Sequence, residues 1–342
     1  MKKIFALLMA CTLSLSLFAC SGSGNSNNNG ENTGSGKNGV KKYSVASGSV
    51  GGNFYLIGGG VATAINGHAP DKFMFTSETT GGSTANLTML QNSDAELGIA
   101  MTSSLSEAAE GKADWTNGKP LDNLRSALAL YPSWLTIYTL DSSGIKSLSD
   151  LNGKIVGLGS KGMAMDSVFR QFLESRGITP KQIHNDGHSA TASALDNGVI
   201  DAAILFSYPP FAAISELEST KALCFVPLSE EEQAALVDTY SFYKADDMPG
   251  GSYKAAPEDI RSVSEWNMLA SSSSVSADDV YLMVKTLCEN QDDMIAVHSS
   301  CSYMTAENTL NSNIPLHAGT VRYLKEVGIE VPNELIPPEY TE

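Results

Sequence analysis

Phe73-Met74-Phe75-Thr76-Ser77-Glu78-Thr79-Thr80-Gly81-Gly82-Ser83-Thr84-Ala85-Asn86-Leu87, continued to Leu97-Gly98-Ile99-Ala100-Met101-Thr102-Ser103-Ser104, is the stretch on which the fold reading turns. Residues 73–76 are apolar and β-prone and read as a strand. Thr79-Thr80-Gly81-Gly82 has the composition of a turn. Ser83 or Thr84 can cap a helix whose apolar positions Leu87, Met89 and Leu90 follow at helical spacing, and Asn92-Ser93 ends it. Residues 97–101 read as a second strand, with Thr102-Ser103-Ser104 just beyond its C-terminal end. This is a β-loop-α-β unit with a glycine- and hydroxyl-rich loop at the helix N-terminus. Such a loop aims free backbone N–H groups and the positive end of a helix dipole at one point, so its natural guest is an anion.

The same unit recurs on both sides. Lys42 to Ser47 reads as a strand, 48–55 as a glycine loop and Leu56 to Asn66 as a helix. Gly58-Gly59-Gly60 inside that helix costs up to about 3 kcal/mol relative to alanine, so a close approach to a neighbouring backbone or ligand is expected there. Farther on, strand 155–158 runs into Gly159-Ser160-Lys161-Gly162-Met163 and a helix from Asp166 to Arg176, stopped by Gly177. Loop 186–189, a short helix 191–196 and strand 201–206 follow. A shift of 105 residues lays Leu90 on Leu195, Asn92 on Asn197, Glu96 on Asp201 and Ile99 on Ile204. The repeat predicts two similar α/β lobes. Between the units, 124–131 reads as a strand ended by Pro132, and 134–140 as another. Helices are expected at 211–217, 230–237, 278–288 and 320–327, with strand-like sequence at Trp266 to Ala270.

The first residues carry an address. Met1-Lys2-Lys3 precedes an apolar run to Phe18, and Leu17-Phe18-Ala19-Cys20 closes it, the pattern of a secretory signal. A cysteine directly after Leu-x-Ala resembles a bacterial lipoprotein signal, with Cys20 as the lipidated first residue. Residues 21–42 are mostly Ser, Gly and Asn and read as a flexible tether. The formal charge of −16 over 342 residues leaves no basic stripe for nucleic acid. Beyond Cys20 only Cys224, Cys288 and Cys301 remain, an odd set read as buried free thiols, although Cys288 and Cys301 are spaced so that they can pair.

Catalytic signatures are scarce. Gly159-Ser160-Lys161-Gly162 is neither a nucleophile elbow nor a phosphate-binding P-loop. His184 and His188 flank a turn-like Asn185-Asp186-Gly187 and share no helical face, so no metal and no cofactor is expected. What remains is four hydroxyl- or glycine-rich loops, 48–55, 79–84, 159–165 and 186–189, each following a strand. In an open α/β sheet such loops lie at the edge where ligands bind. The candidate ligand contacts are Asn53, Phe54 and Tyr55; Thr80, Gly81, Gly82 and Ser83; Thr102 and Ser103; and Ser160, Lys161, Gly162, Met163, Ala164 and Met165. Tyr131 and Tyr208, with Tyr55, offer a wall and hydroxyl donors.

Several motifs occur in one order: Gly51-Gly52-Asn53-Phe54-Tyr55, Thr80-Gly81-Gly82-Ser83-x-x-Asn86-Leu87, Leu97-Gly98-Ile99-Ala100, Leu130-Tyr131-Pro132, Asp150-Leu151-Asn152-Gly153-Lys154, Gly198-x-Ile200-Asp201-Ala202 and Pro315-Leu316-His317-Ala318-Gly319. In this order they resemble the TAXI family of TRAP-transporter solute receptors across about residues 43–330. The resemblance implies a two-lobe, type II periplasmic-binding-protein fold with a hinge, lobe 1 being 43–131 plus 241–342 and lobe 2 being 132–240. It implies capture of a small carboxylate such as glutamate, 2-oxoglutarate or a related organic acid, and a TRAP membrane permease as partner. The expected protein is an extracytoplasmic monomer anchored to the cell membrane by lipid, without enzymatic activity. An ABC-importer binding protein of the same fold is the alternative, and a surface enzyme the more distant one. The sequence departs from the family at Asn53-Phe54, at Thr102-Ser103-Ser104 where an acid is common, and at Lys161 to Met165.

Overall fold

Residues 39–161 and 164–341 are described by a computed structural model. The signal segment 1–19, Cys20, the tether up to residue 38, and Gly162 and Met163 lie outside the described residues. In chain order the elements are β1 (Lys41–Ala46), α1 (Asn53–His68), β2 (Phe73–Glu78), α2 (Ser83–Asn92), β3 (Leu97–Met101), α3 (Thr102–Ala109), β4 (Leu124–Leu140), β5 (Ile155–Leu158), α4 (Ala164–Ser175), β6 (Gln182–His184), α5 (His188–Asp196), β7 (Ala202–Ser207), α6 (Ala212–Thr220), β8 (Leu223–Phe225), α7 (Glu230–Thr239), β9 (Lys244–Ala245), β10 (Val263–Ser272), α8 (Ala277–Glu289), α9 (Gln291–Val297) and α10 (Ala318–Glu326).

The strands form one mixed sheet in the order β2-β1-β3-β10-β4-β7-β5-β6, with β8 beside β4 and β9 beside β10. β1 is parallel to β2 and β3, and β5 is parallel to β6 and β7. Each parallel trio is closed by an antiparallel strand, β10 next to β3 and β4 next to β7. The two halves therefore repeat one α/β pattern. Ser83 and His188, the first residues of α2 and α5, keep the 105-residue spacing seen in the sequence, as do Leu97 of β3 and Ala202 of β7. Helices cover both faces of each half. One core joins α1, α8 and α9 to β1 and β2, and another gathers Leu87, Leu90 and Leu105 on the opposite face.

β4 corrects the expected break at Pro132: it is one strand of 17 residues. It pairs with β10 from Leu124 to Trp134, while β7 joins its other side only from Trp134 onward. At Pro132 the strand thus has a partner on one side alone, a position where a missing N–H is tolerated. β4 and β10 are the strands that tie the halves together.

Tyr243 stacks on Phe206 at 5.1 Å and Tyr253 on Phe225 at 4.8 Å, and Met248 bridges to Ile260. Tyr243 thereby packs on β7 and Tyr253 on β8, while Lys244 already reaches Asn311 Oδ1. The glycine triplet finds its compensation at Gly58. A side chain there would meet Ser47 Cβ at 2.4 Å, so the helix lies directly on the end of β1. The three cysteines of the folded part are free thiols, and burial pushes Cys288 and Cys301 up to about 12.

Candidate functional site

Among the described residues, three helices begin on glycine rather than on a capping side chain. Gly52, Gly82 and Gly187 occupy the N-cap positions of α1, α2 and α5, and none of them supplies a side-chain cap. The first intrahelical bonds run from Leu56 N to Gly52 O (3.2 Å), Asn86 N to Gly82 O (3.0 Å) and Thr191 N to Gly187 O (2.8 Å). The N–H groups of each first turn are therefore left over by the helix itself. Gly82 has φ +105° and ψ −157°, a conformation essentially confined to glycine. It turns the chain sharply from β2 into α2.

The turn is held by side chains. Gly82 N–H donates to Thr80 Oγ1 (3.1 Å), and Thr80 Oγ1 donates to Asn86 Oδ1 (2.6 Å). Asn86, fully buried, donates through Nδ2 to the carbonyls of Ser47 and Ile99, both at 2.7 Å. Ser83 Oγ accepts the N–H of Met101 (3.2 Å). The end of β1, the α2 turn and the end of β3 thereby form one hydrogen-bonded unit.

A cavity of about 260 Å³ opens where these pieces meet. From the first half it is lined by Gly48 to Val50, Gly52 to Phe54, Gly81 to Ser83 and Met101. From the second half come Ser160, Gly187 to Ala190, Phe206, Ser207, Tyr208 and Phe211. Its floor is the crossing of β4 and β10, through Tyr131, Ser133 and Asn267. Asn267 Nδ2 donates to Tyr131 O (3.0 Å) and Ser133 Oγ (2.8 Å), which fixes that floor. Tyr208 meets Tyr131 edge-on at 6.1 Å and Trp134 at 6.0 Å, an aromatic wall.

The electrostatics are those of dipoles. Among the described residues the lining carries no Lys, Arg, Asp or Glu. His188 stands at the start of α5, and burial lowers its pKa to about 4, so the ring is neutral near pH 7. Three positive helix ends then provide the attraction for a negative group.

Residues 45–328 match the NMT1-like family. The chain belongs to the NMT1-like family. Its architecture is similar to that of several solved structures at low identity. One is titled a putative L-cystine ABC transporter from Listeria monocytogenes, 15% identical, covering 78% of this chain and 98% of that one with a TM-score of 0.48. Another is a probable amino-acid ABC transporter extracellular-binding protein from Bacillus subtilis, 17% identical, covering 77% and 97% with a TM-score of 0.46. A third comes from work on glutathione import in Streptococcus mutans, 12% identical, covering 77% and 95% with a TM-score of 0.49.

In this NMT1-like chain, Asn53, Phe54, Gly81, Gly82, Ser83, Tyr131, Ser160 and Tyr208 all line the cavity. Other expected contacts stand elsewhere, each for a physical reason. Thr80 is spent on ordering the turn. Tyr55 lies on α1 outside the lining. Thr102 and Ser103 do not end in a loop: α3 starts at once, and both are buried in its first turn. Ala164 and Met165 face inward on α4, Met165 packing with Leu158 and Phe169. Lys161 is exposed and not part of the lining. The sequence reading did not single out Met101, Ser133, Phe206, Ser207, Phe211 and Asn267. Only Asn267, a polar residue amid the apolar Trp266 to Ala270 run, gave a signal.

Proposed function

We propose that this protein is an extracytoplasmic solute-binding protein that captures a small carboxylate and hands it to a membrane importer without changing it chemically. One observation carries the reading: the uncapped N-termini of α1, α2 and α5 converge, from both halves of the sheet, on one cavity. The halves act as two lobes, 43–131 with the segment from β10 onward, and 132 to about 262. β4 and β10 serve as the hinge between them. Closure is driven by contacts that exist only when both lobes hold the ligand. Cys20 is the proposed lipid attachment site, with the residues between it and β1 as the tether.

A thermal-shift panel of organic acids and amino acids tests this. Ligand at a hundred times its dissociation constant stabilises by about 2.7 kcal/mol. A shift with carboxylates, and ligand recovered intact, supports the reading. A shift with neutral sugars or cations only overturns it. For the importer, the ATP-driven class comes first and the TRAP class implied by the motif order comes second. Uptake into vesicles carrying the cognate permease separates them, since one requires ATP and the other a cation gradient.

A further inference from the structure

Glu265 is a fully buried carboxyl at the joint between the two halves. On β10 it pairs with Ser133 of β4, which lines the cavity floor. From the first half, α3 gives its Oε2 the Ser103 N–H at 3.0 Å, and the Thr102 and Ser103 side chains also favour its ionised form. From the second half comes Tyr243, which stacks on Phe206 of β7 and whose buried hydroxyl feels the Glu265 charge. Met101 of β3 packs in one apolar cluster with Phe206 and Tyr243, so the joint is closed between the halves.

A second carboxyl lies at the same joint. Glu107 of α3 accepts the Ser167 hydroxyl of α4 at 3.4 Å, a contact from one half to the other. Its charge acts on Glu265, Tyr243 and Tyr240. Around Glu107, Asp114 and Glu110 oppose its ionisation, while Lys112 favours it but is itself paired with Glu110 at 2.5 Å. Burial raises both carboxyls. An ionised carboxylate buried without a paired cation is costly, and two like charges at one joint add repulsion. Both penalties fall when the halves part and water reaches the groups. Resting on the two-lobe, solute-capturing reading above, we infer that Glu265 and Glu107 form a proton-operated latch: protonated, they let the halves close, and ionised, they drive them apart. The closed form binds these protons more tightly than the open form, so closure weakens as pH rises. Closure is the state that holds solute, so acid favours capture and a rise in pH favours release.

Small-angle scattering on protein purified free of solute tests this at about pH 5 and about pH 8. The parent should show a larger radius of gyration at the higher pH, with its circular dichroism unchanged. Glu107→Gln combined with Glu265→Gln keeps acceptors for Ser167 and Ser103 and removes both titrations. That double variant should keep the parent's acid value at both pH values, and Glu107→Gln alone should expand less than the parent. An equal radius for the parent at both pH values overturns the inference. So does expansion with loss of circular dichroism, or expansion of either variant as large as the parent's. No solute enters this experiment, so its failure leaves the solute-binding reading standing. A carboxylate panel without response removes the capture role and leaves the pH-driven parting in place.

Discussion

Glu265 Oε2 accepts the backbone N–H of Ser103 at 3.0 Å, so a carboxylate from β10 closes the open end of α3. The bond links residues 162 positions apart and stands beside the crossing of β4 and β10. Glu265 is fully buried, and its Oε1 has no hydrogen-bond partner. Burial pushes its carboxyl up to about 7, against the pull of Ser103 and Thr102 toward the ionised form.

The raised value has a direct consequence for stability. From the ordinary 4.5 up to about 7 the folded protein holds a proton that the unfolded chain has released. Stability from this group is thus fully present below 4.5 and is lost as pH rises toward 7, by about 3 kcal/mol in all. Glu107, half-buried and also raised by burial, acts in the same sense. Glu265→Gln keeps an acceptor for Ser103 and removes the titration. Urea unfolding at about pH 5 and about pH 8 should show a smaller loss in the variant than in the parent. Identical losses would mean that Glu265 does not titrate in this range.

Glu265 also marks where sequence reading ran out. The β-loop-α-β repeat was legible because glycine loops, helical spacing and strand runs are local properties. The 105-residue spacing carried the pairing of α2 with α5. Pro132 misled because its tolerance depends on where β7 starts pairing, which is a tertiary fact. The three residues of β6 were too few to show a period. Thr102 and Ser103 looked like ligand contacts because a strand was seen to end there. The carboxylate that engages them lies on a strand far along the chain. Glu265 and Asn267 sit two apart, hence on one face of β10. Two polar residues on one face of a buried strand were the available sign that the floor of a site lay there.

The glycine triplet offers a matched pair of substitutions. Alanine at Gly58 gains about 1 kcal/mol of helix propensity, yet its Cβ would stand 2.4 Å from Ser47 Cβ. Overpacking of that kind costs about 1–3 kcal/mol, so Gly58→Ala should be net destabilising. Gly59 has nothing within 4 Å of the same position, and Gly59→Ala should stabilise by about 0.5–1 kcal/mol. Melting temperatures of the two variants should move in opposite directions. A gain at Gly58 would show that α1 does not rest on the end of β1.

Asn86 bonds both the Ser47 and Ile99 carbonyls and accepts Thr80 Oγ1. Asn86→Ala removes the side-chain donor of two buried carbonyls, at about 1–3 kcal/mol for each group left unsatisfied, while the Thr80 hydroxyl keeps the Gly82 N–H. A total loss of roughly 2–5 kcal/mol is expected in urea unfolding. Asn86→Asp should be no better, because a carboxylate cannot donate to either carbonyl. A loss below about 0.5 kcal/mol for alanine, the range of an ordinary surface change, would deny Asn86 this bridging role.

Gly82 connects that bridge to ligand capture. Its φ of +105° is demanded by the turn, while nothing stands within 4 Å of where a Cβ would go. The cost of Gly82→Ala is therefore conformational, about 1–3 kcal/mol. The chain can relieve it only by rotating the turn, which swings the first N–H groups of α2 away from the cavity. Gly81, in the same loop, has no such φ and no close neighbour, so Gly81→Ala leaves the turn in place. With the tightest carboxylate found, Gly82→Ala should lose at least about tenfold in affinity, equal to about 1.4 kcal/mol, and Gly81→Ala, which adds a methyl to the lining without turning the chain, should melt as the parent does. If Gly82→Ala melts lower but binds as the parent does, the α2 turn takes no part in holding the anion.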